Sequence, residues 1–318
     1  MRAFALRLGR LVVVLVVVSF FSFLLLEFIP GDPVVYKAGF GATPEVLDQL
    51  REELGFNDPI LVRYANWVGD VLQGDLGESY FTEQKTWDAI RVALPKTIEL
   101  AILAQLIALG IAIPAAITSV RNPGGVVDRM TSAIAFGFLS IPGFVLAVYL
   151  VALFAVRLDW FPAIATDIPG LNDDPIENLR QMLLPALALG INLVAVYLRL
   201  LRTDLLTTMQ QDFVMLAQAR GYSERRVLYR HVLRPSSLSL ITSVGLNTGG
   251  LIGGVLIIES IFAIPGMGRL LVQSIFGEDF EVVQGLVLLF SAAFVLVNFA
   301  VDMFYSVVDP RIRRGSAS

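Results

Sequence analysis

The sequence contains no cysteine, one histidine (His231) and few charges: 16% Asp, Glu, Lys and Arg against 56% apolar side chains. Without cysteine there are no disulfides, iron–sulfur clusters or thiolate zinc sites, and a lone histidine leaves no histidine-built metal centre. Average soluble domains carry about 25% charged residues, so this chain lacks the groups that keep a surface wet. A formal charge of −4, from 28 acids against 24 bases, excludes a generally basic nucleic-acid binder. Also missing is any G-x-x-x-x-G-K-S/T run whose amides could cradle phosphates. No serine–histidine–acid set for nucleophilic catalysis is in evidence either, because His231 stands in a basic loop. There is no low-complexity segment and no internal repeat.

What the 318 residues do contain is apolar runs of roughly twenty, the length that crosses about 30 Å of hydrocarbon at 1.5 Å per residue. Six such runs, near Leu8–Ile29, Thr97–Val120, Met130–Val156, Leu183–Leu201, Ser237–Phe262 and Val282–Val308, predict an all-α polytopic membrane protein with six transmembrane helices. The first follows Arg2, Arg7 and Arg10 like a signal peptide. It is longer than a signal's apolar region and continues into Phe28-Ile29-Pro30, so it is read as an uncleaved span.

Orientation follows from Lys and Arg. With the N-terminus in the cytoplasm, fifteen of the 24 basic residues fall in short cytoplasmic pieces: the N-terminus, 121–129, 199–234 and the tail. Nineteen of the 28 acids fall outside. Both termini are therefore expected in the cytoplasm. The predicted organisation is a transmembrane helix over 1–30, an extracytoplasmic subdomain over 31–95, a transmembrane core over 96–310 and a cytoplasmic tail over 311–318. Within the insert, Thr43-Pro44-Glu45 reads as an N-cap, a first-turn proline and an acid on the helix dipole. Gly55 suits that helix's end, and Pro59 starts the next, with Leu61, Tyr64 and Trp67 on one side.

The cytoplasmic loop 203–235 holds the most informative pattern. Ala217 and Ala219 leave room for another surface to approach, Gly221 can take a positive φ and end one helix, Ser223 can cap the next and Pro235 can close it. Such an element suits a soluble partner, or a helix lying on anionic lipid. On the fifth span, Gly245, Gly249 and Gly253 share a face with Gly250 and Gly254 beside it, spacing that permits close helix approach. That face is read either as packing within the chain or as a permease seam lining a pathway, to which Asn247 and Thr248 add hydrogen-bonding groups. Glu27, Glu99 and Glu259 lie near external helix ends, where water can solvate them, and Asp302 is expected to pair with a base. Trp67, Trp87 and Trp160 are read as interfacial anchors.

The Ala217-Gln218-Ala219-Arg220-Gly221 loop with Arg230-His231 resembles the EAA loop of permease subunits of binding-protein-dependent ABC importers, in the form of the dipeptide, oligopeptide and nickel branch. Pro30-Gly31-Asp32-Pro33, Gly74-Asp75-Leu76-Gly77-Glu78-Ser79-Tyr80, Leu94-Pro95-Lys96-Thr97 and Ser140-Ile141-Pro142-Gly143-Phe144 extend the resemblance, as do Glu259-Ser260-Ile261-Phe262-Ala263-Ile264-Pro265-Gly266-Met267-Gly268 and Asp309-Pro310-Arg311. Pro235 and Ser239 depart from that branch, which has Asn and Pro there.

The resemblance implies a type I permease fold and ATP-driven uptake of di- or oligopeptides across a bacterial inner membrane, by a chain that is not itself an enzyme and binds no metal. ATP and Mg would sit on two partner ATPase subunits, beside a second homologous permease and an extracytoplasmic substrate-binding protein. Ala217, Ala219, Arg220, Gly221, Arg225 and Arg226 would contact the ATPase. Gly245, Asn247, Thr248, Gly249 and Gly253 would serve the pathway or the permease interface. Gly31, Asp32, Pro33, Pro265 and Gly266 would form an external gate or seat the binding protein. A proton-coupled secondary carrier, or the same machine carrying nickel chelates or another small solute, are the alternatives.

Overall fold

The computed structural model describes residues 2–28, 33–38, 41–165 and 167–308. Among them the chain is helical, with one isolated β-bridge between Glu78 and Lys85. In order the helices are α1 (Arg2–Phe28), α2 (Pro33–Ala38), α3 (Pro44–Glu53), α4 (Ile60–Leu72), α5 (Thr86–Ser119), α6 (Val126–Ser140) and α7 (Gly143–Leu150). Then come α8 (Pro175–Met209), α9 (Asp212–Ala219), α10 (Glu224–Arg226), α11 (Leu233–Phe262), α12 (Met267–Phe276) and α13 (Phe280–Val308). Two stretches are wound as π-helix: Val151–Arg157 after α7, and Val227–Val232 between α10 and α11.

Four helices are long and apolar enough to cross a membrane, those at Thr86–Ser119, Pro175–Met209, Glu224–Phe262 and Phe280–Val301; α6 with α7 and its extension makes a fifth if that bent pair is one span. The first expected span is a helix whose apolar stretch covers Leu8–Leu24. The third is not the straight rod expected over 130–156. It bends by 102° at Ile141-Pro142, where proline supplies no N–H and holds the preceding residue extended.

The chain divides into two compact units, residues 1–96 with 265–296, and residues 97–264 with 297–318. The insert 31–95 is thus grouped with α1 and with 265–296. In this first unit Phe23 packs on Tyr64 and Trp67, with ring centroids 5.6 and 5.7 Å apart, and Ser19 Oγ lies 2.7 Å from the Tyr64 hydroxyl. Trp67 is half-buried against these rings, while Leu61 is turned outward. Helix α3 starts at Pro44 behind Thr43, whose side chain makes no capping bond. It ends at Gly55 (φ +67°), with the Phe56 amide donating to the Arg51 carbonyl at 2.9 Å. The 74–80 motif folds against 279–281. Ser79 Oγ donates to Asp279 Oδ2 at 2.5 Å, and the Glu78 amide to Glu281 Oε2 at 2.6 Å. Gly77 (φ +84°) lets the backbone pass Glu281 where a Cβ would strike its carboxylate. Burial, and after it the Glu281 charge, push the Tyr80 phenol well above its ordinary range, so it remains a neutral partner.

The second unit holds the main core. On α5, Leu100, Ala104, Ala108, Ala112 and Ala116 recur every fourth residue and are fully buried. This narrow alanine ridge admits α8 closely enough that a Cβ on Gly190 would stand 2.8 Å from the Ala104 carbonyl oxygen. Backbone cannot yield there as a flexible side chain would. Gly190→Ala is therefore expected to cost about 1–3 kcal/mol of stability, as overpacking does, measurable as a lower melting temperature of the detergent-solubilised protein. An unchanged melting temperature would contradict this packing. Across the same interface the Tyr197 hydroxyl donates to Gln105 Oε1 at 2.9 Å, and Gln105 Nε2 donates to Thr248 Oγ1 at 3.0 Å. Helices α5, α8 and α11 are so joined by a satisfied polar chain, the arrangement a buried amide requires.

Helix α8 begins eight residues before the expected span. Asp174 caps it, accepting from the Ile176 and Glu177 amides at 3.2 and 3.0 Å, with Pro175 in the first turn. Glu259 also departs from expectation. It is fully buried, and its Oε1 accepts the Thr97 hydroxyl at 2.7 Å. The side chains of Glu27 and Asp302 lie outside the described residues.

Candidate functional site

Residues 210–239 form a hairpin-like projection of the second unit. Asp212 begins α9, where a carboxylate meets the positive end of the helix dipole. Val214 and Ala217, three residues apart, are buried, whereas Phe213 (47% exposed), Met215 and Leu216 are bare. Helix α9 ends in a left-handed bend at Gly221 (φ +79°). The Gly221 amide donates to the Gln218 carbonyl at 2.9 Å and the Tyr222 amide to the Ala217 carbonyl at 3.3 Å, which satisfies carbonyls the helix end leaves open. Nothing lies within 4 Å of the position a Cβ on Gly221 would take, so glycine is required there by backbone conformation and not by space. Tyr222 then stacks on His231 (5.6 Å, 14°), and the Arg226 guanidinium sits 4.7 Å from the same ring centre.

Ser223 occupies the cap position of α10, but its side chain makes no capping bond. Nor does Pro235 close the second helix. It falls in the first turn of α11, and the helix runs on from Glu224 to Phe262. A proline lacks the N–H that would bond four residues back, and the wide π turn at Val227–Val232 absorbs that mismatch. The departure Ser239 has a defined partner: its hydroxyl donates to Asp204 on α8, and Ser236 Oγ lies 2.9 Å from Thr208 Oγ1. These bonds fasten the base of the projection to the end of α8.

Beside that base lies a charged clamp that the sequence reading passed over. Arg202 on α8 reaches Asp128 on α6 through two bonds, Nε to Oδ1 at 2.5 Å and a terminal nitrogen to Oδ2 at 2.8 Å. Ser119 at the end of α5 donates to the same carboxylate, and the Gly124 amide adds a bond at 2.8 Å. The end of α5, the start of α6 and the last part of α8 thus meet on one carboxylate that is 4% exposed. An acid in the first turn of a helix and an arginine 74 residues later gave no local pattern by which to pair them.

The predicted coupling residues share this projection without all sharing its surface. Ala219, Arg220, Gly221, Arg225 and Arg226 are exposed, while Ala217 faces inward at 5%. The outward apolar face belongs instead to Phe213, Met215, Leu216 and Tyr222, residues that helical spacing from the buried Val214 and Ala217 could have located. The five residues predicted for a pathway separate. Gly245 abuts Val301, Gly249 is buried, and Thr248 belongs to the Gln105 chain. Gly253 is open, with nothing within 4 Å of a notional Cβ, and Asn247 lines a cleft. At the end of α11, Ala263 takes φ +56° and the buried Gly266 stands at the start of α12, next to Pro265. Gly31 and Asp32 lie outside the described residues, and Pro33 opens α2.

These features define the class: a helical integral membrane protein with a structured, partly apolar projection between two long spans. Comparison with known proteins gives the family. Residues 91–314 match the binding-protein-dependent transport system inner membrane component family, and residues 1–101 match the N-terminal region of such membrane components. A Brucella abortus (strain 2308) protein, provisionally named as a peptide transport system permease, is 38% identical over 307 residues, covering 96% of this chain and 97% of that one. The dipeptide transport system permease DppB of Alkalihalophilus pseudofirmus is 34% identical (98% and 100% covered), and the glutathione transport system permease GsiC of Escherichia coli is 33% identical (96% and 97%). Among solved structures, the inward-facing MetNI methionine ABC transporter matches with a TM-score of 0.57 at 17% identity, over 70% of this chain and 96% of that chain. This chain belongs to the binding-protein-dependent transport system inner membrane component family and has the type I permease fold.

Proposed function

We propose that this chain is one permease subunit of an ATP-driven importer of di- or oligopeptides. A second homologous permease, two ATPase subunits carrying ATP and Mg, and an extracytoplasmic substrate-binding protein complete the machine. The chain itself performs no catalysis. Both termini lie in the cytoplasm, as the concentration of Lys and Arg in the short segments 121–129 and 199–234 supports. Residues 31–95 then belong to the outer side. In this reading the loop 203–235 docks on an ATPase, with Ala219, Arg220, Gly221, Arg225 and Arg226 at the contact and Phe213, Leu216 and Tyr222 as its apolar anchors. Gly31, Asp32, Pro33, Pro265 and Gly266 serve the outer gate or seat the binding protein.

The single observation that carries the docking role is the exposed apolar face of α9, ringed by arginines and held out by a glycine bend. Apolar groups bared on a polar projection mark a surface made for a partner. Nucleotide closure of the ATPase pair would shift this element and rock the spans between two states of differing affinity for cargo. Phe213→Ser combined with Leu216→Ser is expected to reduce copurifying ATPase at least about tenfold, a loss near 1.4 kcal/mol. Quantitative pull-down from membranes coexpressing all subunits measures it. Undiminished copurification would remove the docking assignment. Proton-driven, ATP-independent uptake by this chain alone would overturn the importer reading altogether.

A further inference from the structure

Between α7, α8 and α11 the second unit has an open cleft of about 320 Å³. Most of its wall is apolar, from residues such as Phe144, Leu189, Leu251 and Ile257, but two amides enter it, Asn192 on α8 and Asn247 on α11. Asn192 Oδ1 is buried and has no hydrogen-bond partner among the described residues. Asn247 is held by its own helix: Nδ2 donates to the Ser243 carbonyl at 2.7 Å and lies 3.1 Å from Ser243 Oγ. With its nitrogen engaged in this way, the free polar atom of the Asn247 amide is its carbonyl oxygen.

A hydrocarbon setting makes such an arrangement costly. No lipid group replaces a missing hydrogen bond, so polar side chains at membrane depth are satisfied by protein or serve a passing polar ligand. Gln105, Tyr197 and Thr248 show that rule, since they complete one another. Asn192 Oδ1, like Asn178 Oδ1, departs from it, and of these two Asn192 borders the cleft. Gly143, the first residue of α7, keeps the approach open, since a Cβ there would stand 3.1 Å from Asn192 Nδ2. Gly250 and Gly254 thin the α11 wall, and nothing lies within 4 Å of a notional Cβ on Gly250.

We propose that this cleft is a cargo subsite in which Asn192 Oδ1 accepts the N–H of a peptide bond of the transported molecule, with the Asn247 carboxamide as a second polar contact. The inference rests on the peptide-importer reading and adds the contact within the path. Neutral amides match the backbone that every peptide shares and are indifferent to side chains. The apolar wall tolerates varied residues, and no charge among the lining groups would trap a terminus. A carboxamide oxygen accepts a peptide N–H, and a site built for that pairing rejects an analogue lacking the N–H because its own acceptor is left unpaired.

The test uses the complete importer in proteoliposomes, with alanyl-alanine and its analogue N-methylated at the peptide bond as competing cargo. The wild-type complex is expected to import the parent dipeptide about tenfold faster, the loss of one well-formed hydrogen bond at 1.4 kcal/mol per decade. In Asn192→Leu that preference should fall toward unity, and Asn192→Gln should recover part of it. A second measurement needs no variant: photo-leucyl-alanine, irradiated in the wild-type complex during turnover, should label residues 188–193 or 247–258. Full retention of the preference by a transporting Asn192→Leu complex, or labelling that avoids both segments, overturns the subsite. The underlying reading fails differently: the wild-type complex would import no dipeptide, and the subsite would fall with it.

Discussion

Asp128→Ala is expected to lower the stability of the second unit by about 3 kcal/mol, the lower end of what losing one partner of a buried ion pair costs. The lower end applies because Arg202 keeps 26% of its side chain exposed, so water recovers part of its charge. The carboxylate accepts from Arg202, Ser119 and the Gly124 amide, and alanine would leave the guanidinium folded around nothing. In thermal unfolding of the purified protein this corresponds to a drop of roughly 5–10 °C. The double replacement Asp128→Leu with Arg202→Met should regain most of it, because removing both charges removes the desolvation cost as well as the attraction. A single variant that melts within a degree of the parent would show that the clamp contributes nothing net.

Gly221→Val is the second large effect, and its signature is the opposite: stability little changed, transport lost. At φ +79° an L side chain costs about 1–2 kcal/mol, and a β-branched one is worse placed still. The bend sits on an exposed projection, so relaxing it disturbs few core contacts. It would, however, re-aim α9 and break the Tyr222 amide's bond to Ala217. ATP-driven uptake by the assembled complex is expected to fall at least about tenfold, the consequence of some 1.4 kcal/mol or more of misplacement, while membrane insertion persists. Gly221→Asn should retain most activity, because asparagine tolerates the left-handed region. Uptake at the parental rate in the valine variant would dismiss the bend as a transmitter.

How far the sequence was legible depends on how local each signal is. The glycine bends at 55 and 221 and the start of α3 at Pro44 were readable because each is written within four residues. The apolar runs located the long helices for the same reason, although α8 starts earlier because Asp174 and Pro175 cap it ahead of its apolar part. Close helix approach was read on α11, where glycines are plain. A close contact with backbone lies where Ala104 of the alanine ridge meets Gly190, and alanines within an apolar run look like filler until the partner helix is known. Pairings across long separations were likewise illegible: Asp128 with Arg202, and Gln105 with Tyr197 and Thr248. In the loop, Ala217 was expected at the surface because it is small. The helix period instead turns it inward with Val214 and leaves Phe213 and Leu216 outside.

The uninterrupted helix from Glu224 to Phe262 gives the molecule a lever. Its α-helical part, the 30 residues of α11, alone spans about 45 Å at 1.5 Å per residue, one and a half times the hydrocarbon thickness. One end is tied through Tyr222 and His231 to the bend at Gly221, and the far half carries Asn247 and Gly250 along the cleft. A tilt of roughly 5° about one end of such a shaft sweeps the other through about 4 Å. On the proposed reading, a stroke delivered at the loop and a change of width at the cleft would be two readings of one rotation, with no relay of side chains needed between them.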